Sequence, residues 1–418
     1  MWRVLKASIN YLTFSRKLII YLNPLDFMSF PKWLNDVRSR IPLLGKYHAY
    51  LDNAGAGPLT VDVYNAMRDF LDLYINDGEP WDDVLLKVYE NRRLFAELIG
   101  ADSDEVAIIP NVSTGIAVVA VSIPFKGRVV TSPLNFPTDI YPWLTLRSKG
   151  LISEVVFVNP RGGYVPLEEY EEKIDDNTVA VVVDYVSWIT GYRENIREIA
   201  RIAHEHGAII ICDAFQALGV VDVNVKREGI DVLVSGLYKW LMGPHGVAYL
   251  YVSREALEVL KPAVLSWHGV RNNVVKRKID GWSNVFSSPF NIFNAEFSED
   301  ASRFEMGTWS EISLYGGKAA LEFALRHEMP RKYVYTEKLI DKLIDGLVDL
   351  NYEVITPRSS KAGIVVFKAE KHDLIRSYLS KRGIEVSSRP GVIRVSPHFY
   401  NTIHEVELLL DTVREVKI

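Results

Sequence analysis

Apolar positions along this chain group into two alternating rhythms. Short unbroken runs at 107–110, 129–131, 179–183, 209–212 and 231–234 read as strands, because an uninterrupted apolar run marks a strand buried on both faces. Helical stretches separate them. One opens at Asn111-Val112-Ser113-Thr114-Gly115, and another spans 194–206 and stops at Gly207, a glycine suited to the left-handed turn that ends a helix. Strands alternating with helices at this spacing predict a mostly parallel sheet covered by helices.

The last hundred residues repeat the theme on a smaller scale. A linking helix is expected over 311–325, after which Leu339, Leu343, Ile344, Leu347 and Leu350 fall on one helical face. Strands are expected at 364–367 and 393–396, and a closing helix at 403–413. The predicted organisation is an N-terminal extension (1–45), a large domain (46–310), and a linking helix with a small α/β domain (311–418). A chain of 418 residues exceeds what one hydrophobic core usually holds, which supports the division.

Composition narrows the function classes. Hydrophobic residues make up 48%, charged residues 24%, and the net charge is −5, so no basic excess points to nucleic acid. Cys212 is the single cysteine and stands in an apolar run. It reads as a core residue in a reducing, cytoplasmic setting. Residues 1–30 hold Arg3, Lys6, Arg16 and Lys17 around short apolar pieces. No run there approaches the roughly 20 residues that span a bilayer, and Arg16-Lys17 interrupts any signal-peptide pattern. The segment is read as an extra helix packed on the domain, with a peripheral amphipathic anchor as the alternative.

Candidate chemistry concentrates in 209–246. Asp213 ends one predicted strand, Gln216 follows, and the next strand breaks at Ser235-Gly236 to deliver Tyr238 and Lys239 into a loop. Ligands of open α/β sheets collect at the carboxyl ends of strands. An acid and a lysine on neighbouring ends suit pyridoxal 5'-phosphate. Its aldehyde condenses with a lysine amine, and its pyridine nitrogen needs a carboxylate to hold a proton there. Taken alone, Asp213 is equally a turn cap and Lys239 a solvated loop lysine.

Further motifs accompany them: Y-L-D-N-A-G-A-G-P from Tyr50, N-F-P-T-D from Asn135, D-A-F-Q from Asp213, S-G-L-Y-K-W-L-M-G-P-H-G from Ser235, R-F-E-M-G-T from Arg303 and R-V-S-P-H-F-Y-N-T from Arg394. Together they resemble class V aminotransferases, the fold-type I group that includes cysteine desulfurases, kynureninases and isopenicillin N epimerase-like proteins. The resemblance spans about Tyr50 to Val413. It implies the fold-type I transferase fold, pyridoxal phosphate, an amino acid substrate and a homodimer with shared active sites.

Roles follow position by position. Lys239 would carry the cofactor and Asp213 its pyridine nitrogen. Ser113 and Thr114 would cradle the phosphate at a helix start, with Tyr238 beside it and Thr308 reaching the partner subunit's phosphate. Phe136 stands where desulfurases place a ring-stacking histidine. Trp188 replaces an asparagine common in the family, which leaves Gln216 as the expected donor to the cofactor's phenolic oxygen and makes Trp188 a pocket wall. Asn53 would border the substrate pocket. Arg394 would grip the substrate carboxylate bidentately, with Arg389 as runner-up. The aromatic segment 265–300 is expected to cover the pocket. No metal-ligand motif occurs.

Aminotransfer is the expected reaction, with epimerisation, kynureninase- or desulfurase-like lysis, and a catalytically silent scaffold as alternatives. Nothing between Arg358 and Pro397, where a desulfurase would carry its sulfur-accepting cysteine, is a cysteine.

Overall fold

The computed structural model describes residues 32–124, 126–288, 292–326 and 329–416; the expectation for 1–30 lies outside them. Twelve strands occur among these residues: β1 (Ala49–Tyr50), β2 (Val106–Ile109), β3 (Arg128–Thr131), β4 (Glu154–Phe157), β5 (Thr178–Asp184), β6 (Ile209–Asp213), β7 (Val232–Gly236), β8 (Ala248–Val252), β9 (Val365–Lys368), β10 (Ile384–Glu385), β11 (Ser387–Arg389) and β12 (Val392–Val395). Seven form the central sheet in the order β2-β8-β7-β6-β5-β3-β4. All its pairings are parallel except the two made by β8. This is the α/β fold that the strand–helix alternation predicts.

Alternation along each strand explains why the runs are unbroken. In β6, Ile210 and Cys212 pack into the core on one face of the sheet, while Ile209 and Ile211 pack on the other. In β5, Val181 and Val183 share the first face, and Ala180 and Val182 the second. Both faces are dry, so a polar position has nowhere to point until the strand ends. The first polar side chains after these runs are Asp184 and Asp213, and the parallel register sets them opposite one another.

A three-stranded sheet, β11-β12-β9, carries the C-terminal core. The five predicted apolar positions, Leu339 to Leu350, are all buried there, on or just after the helix Met329–Asp349. β1 pairs in parallel with β10, and Ala49 and Leu51 join the same cluster. Residues 49–51 therefore pack with the C-terminal core, although they precede the large sheet in the chain.

Candidate active site

Three segments converge on the carboxyl ends of β5, β6 and β7. A cavity of about 390 Å³ opens there, lined by Ser113, Phe136, Trp188, Asp213, Gln216, Tyr238 and Lys239 among others. β7 ends where it must: a Cβ at Gly236 would come within 2.6 Å of the Phe215 ring. The chain turns away and returns Lys239 over that ring, with Nζ 4.2 Å from its centroid and 5.8 Å from the centroid of Phe136.

Burial pushes the Lys239 amine down to about 8, and the nearby charge of Arg394 adds to the effect while Asp213, Asp184 and Asp139 oppose it. An amine with a depressed pKa is a nucleophile near neutral pH. Asp213 Oδ1 accepts from Phe215 N at 2.7 Å. Asp184 Oδ2 accepts from Phe136 N at 2.8 Å, which ties the N-F-P-T-D turn to β5. Asp139, the last residue of that turn motif, is fully buried behind them. One oxygen from each of the three acids lies within 4.8 Å of the others. Burial raises all three above the ordinary carboxylate range, and repulsion from Asp213 raises Asp139 and Asp184 further. Three such groups do not all ionise together, so the cluster retains protons at neutral pH. Asp139, Asp184 and Asp213 are far apart in the chain, and only the strand register of β5 and β6 with the turn after β3 brings them together.

The helix start that lines the cavity suits an anion. Asn111 caps the helix Val112–Ala120, its Oδ1 accepting from Thr114 N at 2.9 Å and from Thr114 Oγ1 at 3.1 Å. Ser113 lines the cavity, and its hydroxyl shares a 2.8 Å hydrogen bond with Thr138. Thr114 is turned onto its cap and is not part of the lining. Tyr238 stacks on His245 with centroids 3.9 Å apart, and both face the cavity. Buried carboxylates, a lysine with a lowered pKa and a helix start with hydroxyls, all on one cavity, match the donor set of pyridoxal phosphate.

Other expected residues fall less simply. Gln216 lines the cavity, but its Nε2 donates to Ala54 O at 3.1 Å and its Oε1 accepts from Trp240 at 2.8 Å. One N–H remains for a ligand. Phe136 meets Trp188 edge-on at 5.3 Å and is 42% exposed. Asn53 is fully buried: its Nδ2 donates to Ser396 O at 2.8 Å and its Oδ1 accepts from Tyr400 at 2.7 Å. It fastens the Asp52–Pro58 turn to the C-terminal segment and does not line the pocket. Thr308 is exposed and lies away from the lining. Arg394 is 3% exposed and flanks the site without lining the cavity, whereas Arg389 is exposed and donates to Ser388 O. None of the described residues of 265–300 lines the cavity; that segment borders a separate cavity of about 520 Å³.

The motif residue Glu305 is structural. Fully buried, it accepts from Arg92 at 2.6 Å, Ile108 N at 2.8 Å and Trp309 at 3.1 Å. It pins β2, and with it the helix start that follows.

The family model described as aminotransferase class-V matches residues 49–409. The chain belongs to that family. An uncharacterised aminotransferase, YcbU of Bacillus subtilis, is 30% identical over 369 residues, covering 88% of this chain and 94% of its own. A probable cysteine desulfurase of Methanothermobacter thermautotrophicus is 29% identical over 413 residues, covering 91% and 97%. Among solved structures, an apo cysteine desulfurase from Thermococcus onnurineus superposes with a TM-score of 0.81 at 26% identity, covering 93% of this chain and 98% of that one. This class V family member has the fold-type I architecture and is a pyridoxal phosphate-dependent enzyme.

Proposed function

We propose that the protein is an aminotransferase for a small to medium amino acid. The observation that carries this reading is the state of its sulfur. A desulfurase working through a persulfide needs a mobile thiolate. Cys212 is the single cysteine, it is fully buried in β6, and burial raises its thiol well above the usual range. The desulfurase names of several relatives support lyase chemistry as the second reading.

When bound, pyridoxal phosphate supplies an aldehyde for the amino group and a ring that accepts electrons from the α-carbon. Lys239 would hold the cofactor, and its Nζ, buried beside the cavity, would serve as the base that takes and returns the α-proton. Asp213, with Asp184 beside it and Asp139 behind, would keep the ring nitrogen protonated. Ser113, Tyr238 and the helix start would hold the phosphate, with Thr114 acting only through its bond to the Asn111 cap, and Phe136 would cover the ring. Trp188 walls the substrate side, Gln216 offers its remaining N–H, and Arg394 orients the carboxylate. Asn53 acts from behind this arrangement by holding its turn in place. Thr308 belongs to a second copy's site in a homodimer, and the setting is cytoplasmic.

Incubation with single amino acids, following pyridoxamine phosphate, α-deuterium exchange and product stereochemistry together, tests the reading. Pyridoxamine phosphate with a keto acid is the expected result. Exchange with inversion, or release of anthranilate from kynurenine or sulfide from cysteine, replaces aminotransfer by epimerisation or lysis.

A further inference from the structure

Arg394 has protein partners on three sides. Its Nε donates to Ser387 Oγ at 3.0 Å, and its Nη1 donates to Trp188 O at 3.4 Å. On the third side, Nη2 lies 3.5 Å from Asp52 Oδ1. That last contact differs from the others. Asp52 Oδ1 is buried yet accepts no hydrogen bond among the described residues, so the two charges attract without a directional bond. It is the longest of the three contacts and the only one to an anion.

The backbone around Asp52 is held at several points, while its side chain is about one-fifth exposed to solvent (21%). Asp52 O accepts from Gly55 N at 3.0 Å and Ala56 N at 3.1 Å. Ala54 N donates to Ser396 Oγ at 3.0 Å, two residues beyond Arg394. A Cβ at Gly55 would come within 2.7 Å of Asp52 Oδ2, so the glycine leaves space for the carboxylate. The same turn touches the lysine loop, where Gly57 N donates to Tyr238 O at 2.8 Å.

We propose that Asp52 is the resident anion of the Arg394 site and that a substrate carboxylate binds by displacing it. This rests on the reading of Arg394 as the carboxylate clamp. With the site empty, Asp52 balances a buried guanidinium whose charge otherwise lacks a counter-ion. A substrate carboxylate makes the directional bonds that Asp52 does not, and Asp52 turns out toward solvent. Asp52 thereby sets the threshold for carboxylate affinity: ligands without an α-carboxylate leave it in place.

The holoenzyme tests this with two probes, L-alanine and L-alanine methyl ester, titrated while the cofactor's absorption spectrum is followed. Asp52→Asn keeps the shape and removes the competing charge. L-alanine is expected to bind about tenfold more tightly to the variant, with the ester unchanged, since only the carboxylate competes with Asp52. Equal changes for both probes, no change for either, or weaker alanine binding would overturn the proposal. The underlying clamp reading is checked separately by Arg394→Lys. If that variant leaves the alanine-to-ester ratio as in the wild type, Arg394 is no clamp, and the proposal falls with it. A crystal structure of the L-alanine complex gives a second measurement. Asp52 turned away from Arg394 is the expected result; a carboxylate on Arg394 with Asp52 still 3.5 Å from Nη2 sinks the displacement.

Discussion

Gly57 lies directly against the backbone of Lys239: a Cβ on Gly57 would sit 1.9 Å from the Lys239 carbonyl oxygen. Gly57 N also donates to Tyr238 O at 2.8 Å. The turn that follows β1 is therefore the mould against which the lysine loop is cast. Gly57→Ala requires backbone on one side to move, at a cost of roughly 1–3 kcal/mol or more. The variant should melt several degrees lower, and its cofactor absorption band should weaken more than its overall fold does. Normal melting with full cofactor content would show that the loop does not depend on this contact.

Lys239 carries a pH prediction. With its amine depressed to about 8 chiefly by burial, the reactive neutral form gains population as pH rises toward that value and saturates above it. Apoprotein mixed with pyridoxal phosphate should form the covalent link about tenfold faster per pH unit below 8, with a plateau beyond. Borohydride reduction and peptide mapping should find the label on Lys239. A rate still climbing steeply past pH 10 would mean that the amine is not desolvated.

Asp139 is predicted to destabilise the apoprotein at neutral pH. Its folded pKa lies well above its unfolded value because of burial and the repulsion of Asp213 and Asp184. Such a group's contribution is fully present below the unfolded value near 4 and is lost as pH rises toward the folded one. Asp139→Asn removes that dependence. Relative to wild type, the variant should gain about 1.4 kcal/mol per pH unit above roughly pH 4, read from apoprotein melting at pH 5, 6 and 7. A gap that stays flat from pH 5 to 7 would show that Asp139 is ionised when folded.

Cys212→Ala should leave any sulfide release from cysteine within about twofold of wild type, because a buried strand thiol does not reach a bound substrate. Melting of the variant checks that the core has tolerated the change. Loss of release in a folded variant would restore the persulfide mechanism.

Much of this molecule was legible in the chain, because the relevant physics is local. Unbroken runs at β5, β6 and β7 announce strands buried on both faces, and the acid that closes each of β5 and β6 marks where the sheet meets its ligand. Asn111 announces a helix start through a hydrogen bond three residues long, and Lys239 is delivered by the glycine that ends β7. Motif spacing supplied the family.

Other relationships depend on register and packing between residues far apart in the chain. The level ends of β5 and β6 set Asp184 beside Asp213, and a turn from β3 brings Asp139 behind both. β1 pairs with β10 across more than 300 residues, which carries Asp52 to Arg394 and Asn53 to Ser396. Gln216 loses half its donors to Ala54, and the segment 265–300 lies beside a different cavity. No periodicity encodes such meetings. Local pattern determined the elements and the residue types at their ends; tertiary structure decided which of those residues share a charge, a proton or a partner.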